Sequence, residues 1–286
     1  MKVRKAVITA AGWGTRFLPI TKAQPKEMLP LVTKPLIQYA VEEAINSGIE
    51  QIVVVTALGK RAIEDYFDRS FELEHFLEQK GETNLLKEIR ELSSLVDICY
   101  IRQKEQLGLG HAILTAKEIV GKDPFAVLLP DDIIDSRVPA LKQMLEVYEQ
   151  YQASVIAVER IACQDTVKYG IIEPKKVTDR IHQVLGLVEK PESAQAPSDL
   201  GVVGRYILTP EIFDALKITP PGKNQEIQLT DALQLLLKQQ AMYAYEFEGV
   251  RYDTGTPLGW LKATLAFALK QPDIGPEIRE YLRQLL

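Results

Sequence analysis

The sequence predicts an α/β fold with a mixed, mostly parallel central sheet flanked by helices, and three observations lead there. Short runs rich in Val and Ile, namely Val3 to Ala10, Gln51 to Thr56, Val96 to Arg102, Phe125 to Leu129 and Ser154 to Val158, read as strands. The longer segments between them carry apolar residues at helical spacing, so strands and helices alternate as in βαβ units. The composition, 46% hydrophobic and 26% charged over 286 residues, is that of a globular protein long enough to bury a sizeable core. Size alone does not require a second domain, and neither an internal repeat nor a low-complexity linker divides the chain.

Taken in order, Val3 to Ala10 is an apolar strand that runs into the glycine-containing turn Gly12-Trp13-Gly14. Ile37, Ala40, Val41, Ala44 and Ile45 fall on one helical face before Gly48, and Leu141, Met144, Leu145 and Tyr148 do the same after Pro139. Gly59 to Leu92 is long, charged and helical in pattern, which reads as a solvated helical excursion between two strands. From Lys168 to Leu208 strands punctuated by Gly and Pro suggest a partly antiparallel extension of the same sheet that supplies a substrate wall. Thr209 to Leu216 and Gln228 to Gln239 look helical, and Tyr243 to Phe247 alternates like a strand. Thr256 as N-cap, Pro257 at the first helical position and the stripe Leu258, Leu261, Leu265 predict a packed C-terminal helix.

Charge and cysteine content narrow the function. Lys and Arg number 34 against 39 Asp and Glu, a net charge of −5, which argues against wrapping nucleic acid. A small anionic ligand held by a few local cations remains compatible with it. Cys99 and Cys163 are far apart and near no His at ligand spacing, so both are expected to be buried and reduced rather than bridged or zinc-bound. No apolar run approaches the ~18 residues of a membrane span, and the chain reads as soluble and cytoplasmic.

Three stretches could carry chemistry. The first, Ala10 to Leu31 (AAGWGTRFLPITKAQPKEMLPL), places glycines at the carboxyl end of a strand, where open α/β sheets bind phosphates. It is not a dinucleotide fingerprint, because Phe17 stands where the third glycine belongs, and GxxxxGK[ST] is absent. Arg16 and Lys26 strengthen the signal: two cations on one loop could grip a polyphosphate while the Gly12 and Gly14 backbone approaches closely. Taken by itself, the loop is better explained as a tight turn with surface cations. The second, Leu128 to Asp135 (LLPDDIID), ends a buried strand in two carboxylates, a donor set suited to Mg²⁺ with phosphate oxygens, although adjacent Asp residues also cap helices. Asp253 in YDTGTP offers a distant carboxylate that could complete the same site. The third, Leu187 to Ser193 (LVEKPES), pairs Glu189 with Lys190. Neighbours on a strand point to opposite faces, so these would form a surface ion pair unless a turn at Pro191 redirects one of them. His75, His111 and His182 form no cluster, and no GxSxG or Cys-His arrangement points to covalent catalysis.

The stretches AAGWGTRFLPITKAQPKEMLPL, GLGHA, LLPDD, KYGII, LVEKP, VGRYIL, EIQLTDAL and YDTGTP follow one another across nearly the whole chain. That set resembles the bacterial UTP–glucose-1-phosphate uridylyltransferases, also called UDP-glucose pyrophosphorylases. The resemblance implies a Rossmann-like nucleotidyltransferase domain over residues 1–286, with residues 1–165 binding nucleotide and 166–286 forming a sugar-binding extension with C-terminal helices. It implies condensation of UTP with glucose 1-phosphate to UDP-glucose and pyrophosphate, without a covalent enzyme intermediate. Ala10, Ala11, Gly12, Gly14 and Thr15 would hold nucleotide and triphosphate, with Arg16 and Lys26 on phosphates and Glu27, Gln103 and Gly108 around base and ribose. Asp131 and Asp253 would hold Mg²⁺; Gly170, Glu189 and Val203 would line the glucose, and Lys190 would bind its phosphate. Nucleic acid and membrane are not implied as partners, and a homodimer or homotetramer is.

Two departures stand out. Trp13 replaces a smaller apolar residue common in relatives, and the Asp131-Asp132 pair leaves open which carboxylate meets the metal, Asp131 being favoured as first after Pro130. Three other readings compete. A thymidylyltransferase shares the glycine loop but usually has Gln at the place of Glu27; a glycosyltransferase would not need the triphosphate loop; a non-catalytic nucleotide-sugar-binding regulator would not need both aspartates and both cations.

Overall fold

The computed structural model describes residues 1–222 and 225–285. Nine strands form the central sheet: β1 (Lys5–Thr9), β2 (Gln51–Thr56), β3 (Asp97–Arg102), β4 (Phe125–Leu128), β5 (Ser154–Arg160), β6 (Gly170–Lys176), β7 (Ile181–Glu189), β8 (Leu200–Leu208) and β9 (Met242–Glu246). Their spatial order is β3-β2-β1-β4-β8-β5-β9-β7-β6. The first four strands pair in parallel. In the other half only β5 and β9 do so, and the remaining neighbours are antiparallel. The sheet is therefore mixed, with its parallel pairing concentrated where β1 and β4 lie side by side.

Helices cover both faces because the strands are apolar on both. Leu36–Asn46 turns Ile37, Ala40, Val41 and Ala44 inward, and Ala140–Tyr151 turns Leu141, Met144, Val147 and Tyr148 inward, as their spacing predicts. The opposite face is covered by Leu109–Thr115, Ile212–Ile218 and Leu229–Leu236, where Phe213 stacks on Phe125 with ring centroids 5.1 Å apart. Each fully buried Ile, Leu or Phe contributes about 1.5–3 kcal/mol. Among the described residues no helix is long and apolar enough to cross a membrane.

The charged excursion consists of three helices, Arg61–Phe67, Phe71–Lys80 and Thr83–Leu92. Glu74 ties the second of them to the third and to the joint before it: hydrogen bonds from Arg69 and Arg90 hold its carboxyl down at about 2.

Two expectations need correction. Cys163 is exposed and Cys99 only half-buried, both unbridged. Cys163 opens the surface 3-10 turn Cys163–Lys168, where its backbone carbonyl accepts the Thr166 and Ser193 hydroxyls. Cys99 lies on β3, one of the two edge strands of the sheet. The helix Pro257–Ala268, which a last helix Gly275–Leu285 follows, starts as predicted, with the Thr256 hydroxyl accepting the Gly259 N–H at 3.1 Å. Its leucine stripe, however, faces solvent, Leu258 being 64% and Leu261 58% exposed. The packed face is the second stripe at the same spacing, Trp260, Ala263 and Phe267, which meets Tyr39 and Tyr252.

Candidate functional site

Two cavities adjoin at the carboxyl ends of β1 and β4. The first, about 400 Å³, lies under the loop that follows β1. Gly14 allows the loop to fold back: its φ is +67°, and a Cβ there would meet Lys26 Cβ and Thr21 Cγ2 at 3.2 Å. Lys26 and Glu27 consequently come up from a short 3-10 turn, Lys26–Met28, into the cavity floor. Of the predicted nucleotide residues, Ala11, Gly12, Gly14, Thr15, Glu27, Gln103 and Gly108 line this cavity. Ala10 does not: it is fully buried at the end of the strand, its N–H bonded to Val55. Arg16 also stands outside the lining, with Nη1 donating to the Gly255 carbonyl at 3.3 Å. Trp13 sits at the mouth, 71% exposed.

The second cavity, about 300 Å³, is lined by Gly170, Glu189, Lys190, Val203 and Asp253. Asp131, Leu129, Leu109 and Glu226 border both cavities. The redirection needed at Glu189-Lys190 occurs one residue before Pro191: Lys190 adopts φ +47°, so both side chains reach the cavity and pair at 2.8 Å. Glu189 also accepts the Thr230 hydroxyl at 2.7 Å. Gly170 belongs here for want of space, since a Cβ would lie 3.0 Å from the Thr230 hydroxyl and 3.4 Å from Glu189 Oε2.

The aspartate pair divides its duties. Asp132 is buried, accepting the Gly204 N–H at 2.8 Å and the Arg251 guanidinium at 2.6 Å. Only glycine fits at 204, where a Cβ would stand 2.5 Å from Asp132 Oδ2. Asp131 faces the cavities, and Lys26 Nζ donates to its Oδ2 at 2.6 Å. Burial pushes the Asp131 carboxyl up, but Lys26 outweighs that and holds it below the usual carboxylate value. Burial likewise pulls Lys26 down, and Asp131 with Glu27 more than restores it. Glu27 is 1% exposed and pairs with Lys60 Nζ at 2.6 Å; burial pushes its carboxyl up and the Lys60 ammonium down, and the attraction between the two offsets only part of either shift.

Asp131 and Asp253 flank one point. A Cβ on Gly255 would lie 3.1 Å from Asp131 Oδ2 and 3.0 Å from Asp253 Oδ1. Among the described residues no three His, Cys, Asp or Glu side chains converge as a complete metal cage. Two convergent carboxylates still fit a hard divalent cation that completes its shell with phosphate oxygens and water.

Sequence reasoning missed Arg251, Arg205 and Lys60, all buried cations paired with carboxylates far away in the chain. Arg251 directly precedes the Tyr252-Asp253 motif, and adjacency was the only available signal. The Gln103 amide and the His111 ring hydrogen-bond each other at 2.9 Å, which gives His111 a structural partner beside the first cavity.

Residues 5–269 match the family model described as Nucleotidyl transferase. A curated protein of Staphylococcus epidermidis named UTP–glucose-1-phosphate uridylyltransferase is 52% identical over 284 residues, covering 99% of each chain. Among solved structures, a UTP-bound UGPase from Acinetobacter baumannii is 43% identical with a TM-score of 0.93, over 99% of this chain and 100% of that one. A UDP-glucose pyrophosphorylase complexed with UDP-glucose is 47% identical with a TM-score of 0.87, over 94% of this chain and 100% of that one.

Proposed function

Because the chain belongs to the nucleotidyl transferase family, we propose that it transfers a uridylyl group from UTP to α-D-glucose 1-phosphate, giving UDP-glucose and pyrophosphate. The observation that carries this reading is the pair of adjoining cavities with Asp131 on their shared border. UTP occupies the first, under the glycine loop, with Lys26 on its phosphates. Glucose 1-phosphate occupies the second, its sugar against Gly170, Glu189 and Val203 and its phosphate on Lys190. Arg16, leaning toward the Gly255 turn, meets the triphosphate from the side of Asp253. Residues 1–165 thus supply most of the nucleotide wall and residues 166–286 most of the sugar wall of a single domain.

The reaction brings two anions together, so the protein's contribution is alignment and charge neutralisation. A phosphate oxygen of glucose 1-phosphate attacks the α-phosphorus of UTP as the bond to the bridging oxygen breaks and pyrophosphate departs. Lys190 holds the attacking phosphate, and Lys26 and Arg16 offset charge on the leaving side. No side chain needs to act as nucleophile. A divalent metal, which we take to be Mg²⁺, would be held by Asp131 and Asp253 and would supply further charge neutralisation. The solvent-facing leucines of Pro257–Ala268 support self-association into dimers or tetramers.

The deciding experiment is pyrophosphate release by the purified protein with Mg²⁺, glucose 1-phosphate and each nucleoside triphosphate in turn, with and without chelator. Release with UTP well above dTTP, lost on chelation, is the expected result; a dTTP preference would make it a thymidylyltransferase. Lys190→Ala removes a charge-assisted contact and is expected to raise KM for glucose 1-phosphate about 10- to 100-fold. Steady-state kinetics with each substrate varied checks it, and an equal loss for UTP would contradict the assignment of Lys190 to the sugar phosphate.

A further inference from the structure

Arg251 is a buried cation with no part in the contacts just described, yet its partners belong to both halves of the site. Its side chain is 7% exposed. Nε donates to Asp132 Oδ1 at 2.6 Å, Nη1 donates to Glu159 and, at 3.1 Å, to the Tyr169 hydroxyl, and the guanidinium lies over the Tyr169 ring 5.1 Å from its centroid.

Each contact leads to a functional group. Asp132 follows Asp131, and antiparallel pairing of Asp132–Asp135 with Val250–Asp253 sets Asp132 opposite Asp253. The Asp131 carbonyl accepts both the backbone N–H and the hydroxyl of Thr254, so the two carboxylate-bearing turns are laced together. Arg251 and Asp253, two residues apart on a strand, share a side, and both line the second cavity. Tyr169 leads the other way: its carbonyl accepts the Lys190 N–H at 3.0 Å, and it is at Lys190 that the chain turns left-handed. A planar guanidinium spreads five N–H donors over three nitrogens in a fixed fork and so serves two carboxylates and a phenol from separate atoms, whereas an ammonium must reach all three from one nitrogen.

We propose that Arg251 is a positioning residue that fixes the Asp131–Asp253 carboxylate pair against Lys190, so that one guanidinium aligns the divalent metal with the sugar phosphate. This rests on the uridylyltransferase reading above. It makes Arg251 the link by which the sugar half of the site senses the geometry of the metal half.

The test compares the unaltered protein with Arg251→Met, Arg251→Lys and Tyr169→Phe. Mn²⁺ binding in the presence of UDP-glucose is followed by electron paramagnetic resonance of the free ion, which needs no turnover, and KM is measured for each substrate. In Arg251→Met, Mn²⁺ affinity is expected to fall about tenfold and KM for glucose 1-phosphate to rise about tenfold, with KM for UTP within about twofold. Arg251→Lys should recover part of both losses. Tyr169→Phe keeps the ring and removes the hydroxyl; it should raise KM for glucose 1-phosphate without changing Mn²⁺ affinity, and it decides the matter if Arg251→Met does not fold. A folded Arg251→Met protein with native Mn²⁺ affinity and native KM values, differing only in melting temperature, would overturn the proposal. Native kinetics in Tyr169→Phe would do so if Arg251→Met is unfolded. Absence of pyrophosphate release from the unaltered protein would instead overturn the underlying activity.

Discussion

Asp131→Asn is expected to lower the rate of pyrophosphate release by about a thousandfold while leaving the fold intact. Asp131 is on the shared border of the two cavities, and its carboxylate is the only part of the residue that changes. Its backbone is secured independently, by the Thr254 N–H at 2.8 Å and the Thr254 hydroxyl at 2.7 Å on the Asp131 carbonyl. The amide keeps the shape of the side chain but loses the charge that pairs with Lys26 and, with Asp253, suits a divalent cation. Initial rates of pyrophosphate release and a near-ultraviolet circular dichroism spectrum check both halves of the statement. A rate within tenfold of the unaltered protein would remove Asp131 from the metal site. The ion pair also has a pH signature. Because the folded Asp131 pKa lies below its unfolded value of about 3.9, the stabilisation is complete above that pH and is lost as pH falls through the lower folded value. Asp131→Asn should therefore be less sensitive to acid in that range.

Arg205→Met should be the most destabilising single change near the site, costing about 3–5 kcal/mol and lowering the melting temperature by roughly 10 °C. Arg205 is 1% exposed in the middle of the sheet. Its guanidinium holds both Glu43 oxygens, at 3.1 and 2.8 Å, and donates to the carbonyls of Leu129, Gly204 and Asp132 at 3.0, 2.9 and 2.7 Å. Methionine fills much of the volume but leaves Glu43 as a buried carboxylate without its cation, and the carbonyls lose their donors. Since Leu129 and Asp132 bracket Pro130-Asp131, the same loss loosens the turn that presents Asp131. Thermal unfolding followed by circular dichroism measures the cost, and pairing Arg205→Met with Glu43→Leu should recover much of it by removing the stranded charge. A single-variant loss below about 1 kcal/mol would show that water replaces the missing donors.

What the sequence disclosed and what it hid divide along a physical line. Apolar periodicity located β1, β2, β4 and β5 because a buried strand must be apolar along its length, and the turns after β1 and β4 were visible because glycines and paired carboxylates interrupt that pattern. The position of Asp131 at a cavity border followed from the end of a strand. Arg205 lies inside VGRYIL and Glu43 inside the helix Leu36–Asn46, and in one dimension each looks like a polar residue on a solvated face; only the packing of that helix on the sheet brings them together. The same is true of Lys60 with Glu27 and of Arg251 with Glu159. Helix Pro257–Ala268 shows the limit differently, since two apolar stripes satisfy one periodicity and spacing does not choose between them.

The left-handed backbone at Lys190 has a consequence for how this chain would respond to improvement. A side chain at φ +47° costs about 1 kcal/mol or more relative to glycine. Selection or design for thermal stability alone would therefore favour Lys190→Gly and discard the ammonium that faces the second cavity. The lysine persists against its own backbone, and variants ranked by melting temperature would rise in that ranking as they lost their hold on the sugar phosphate.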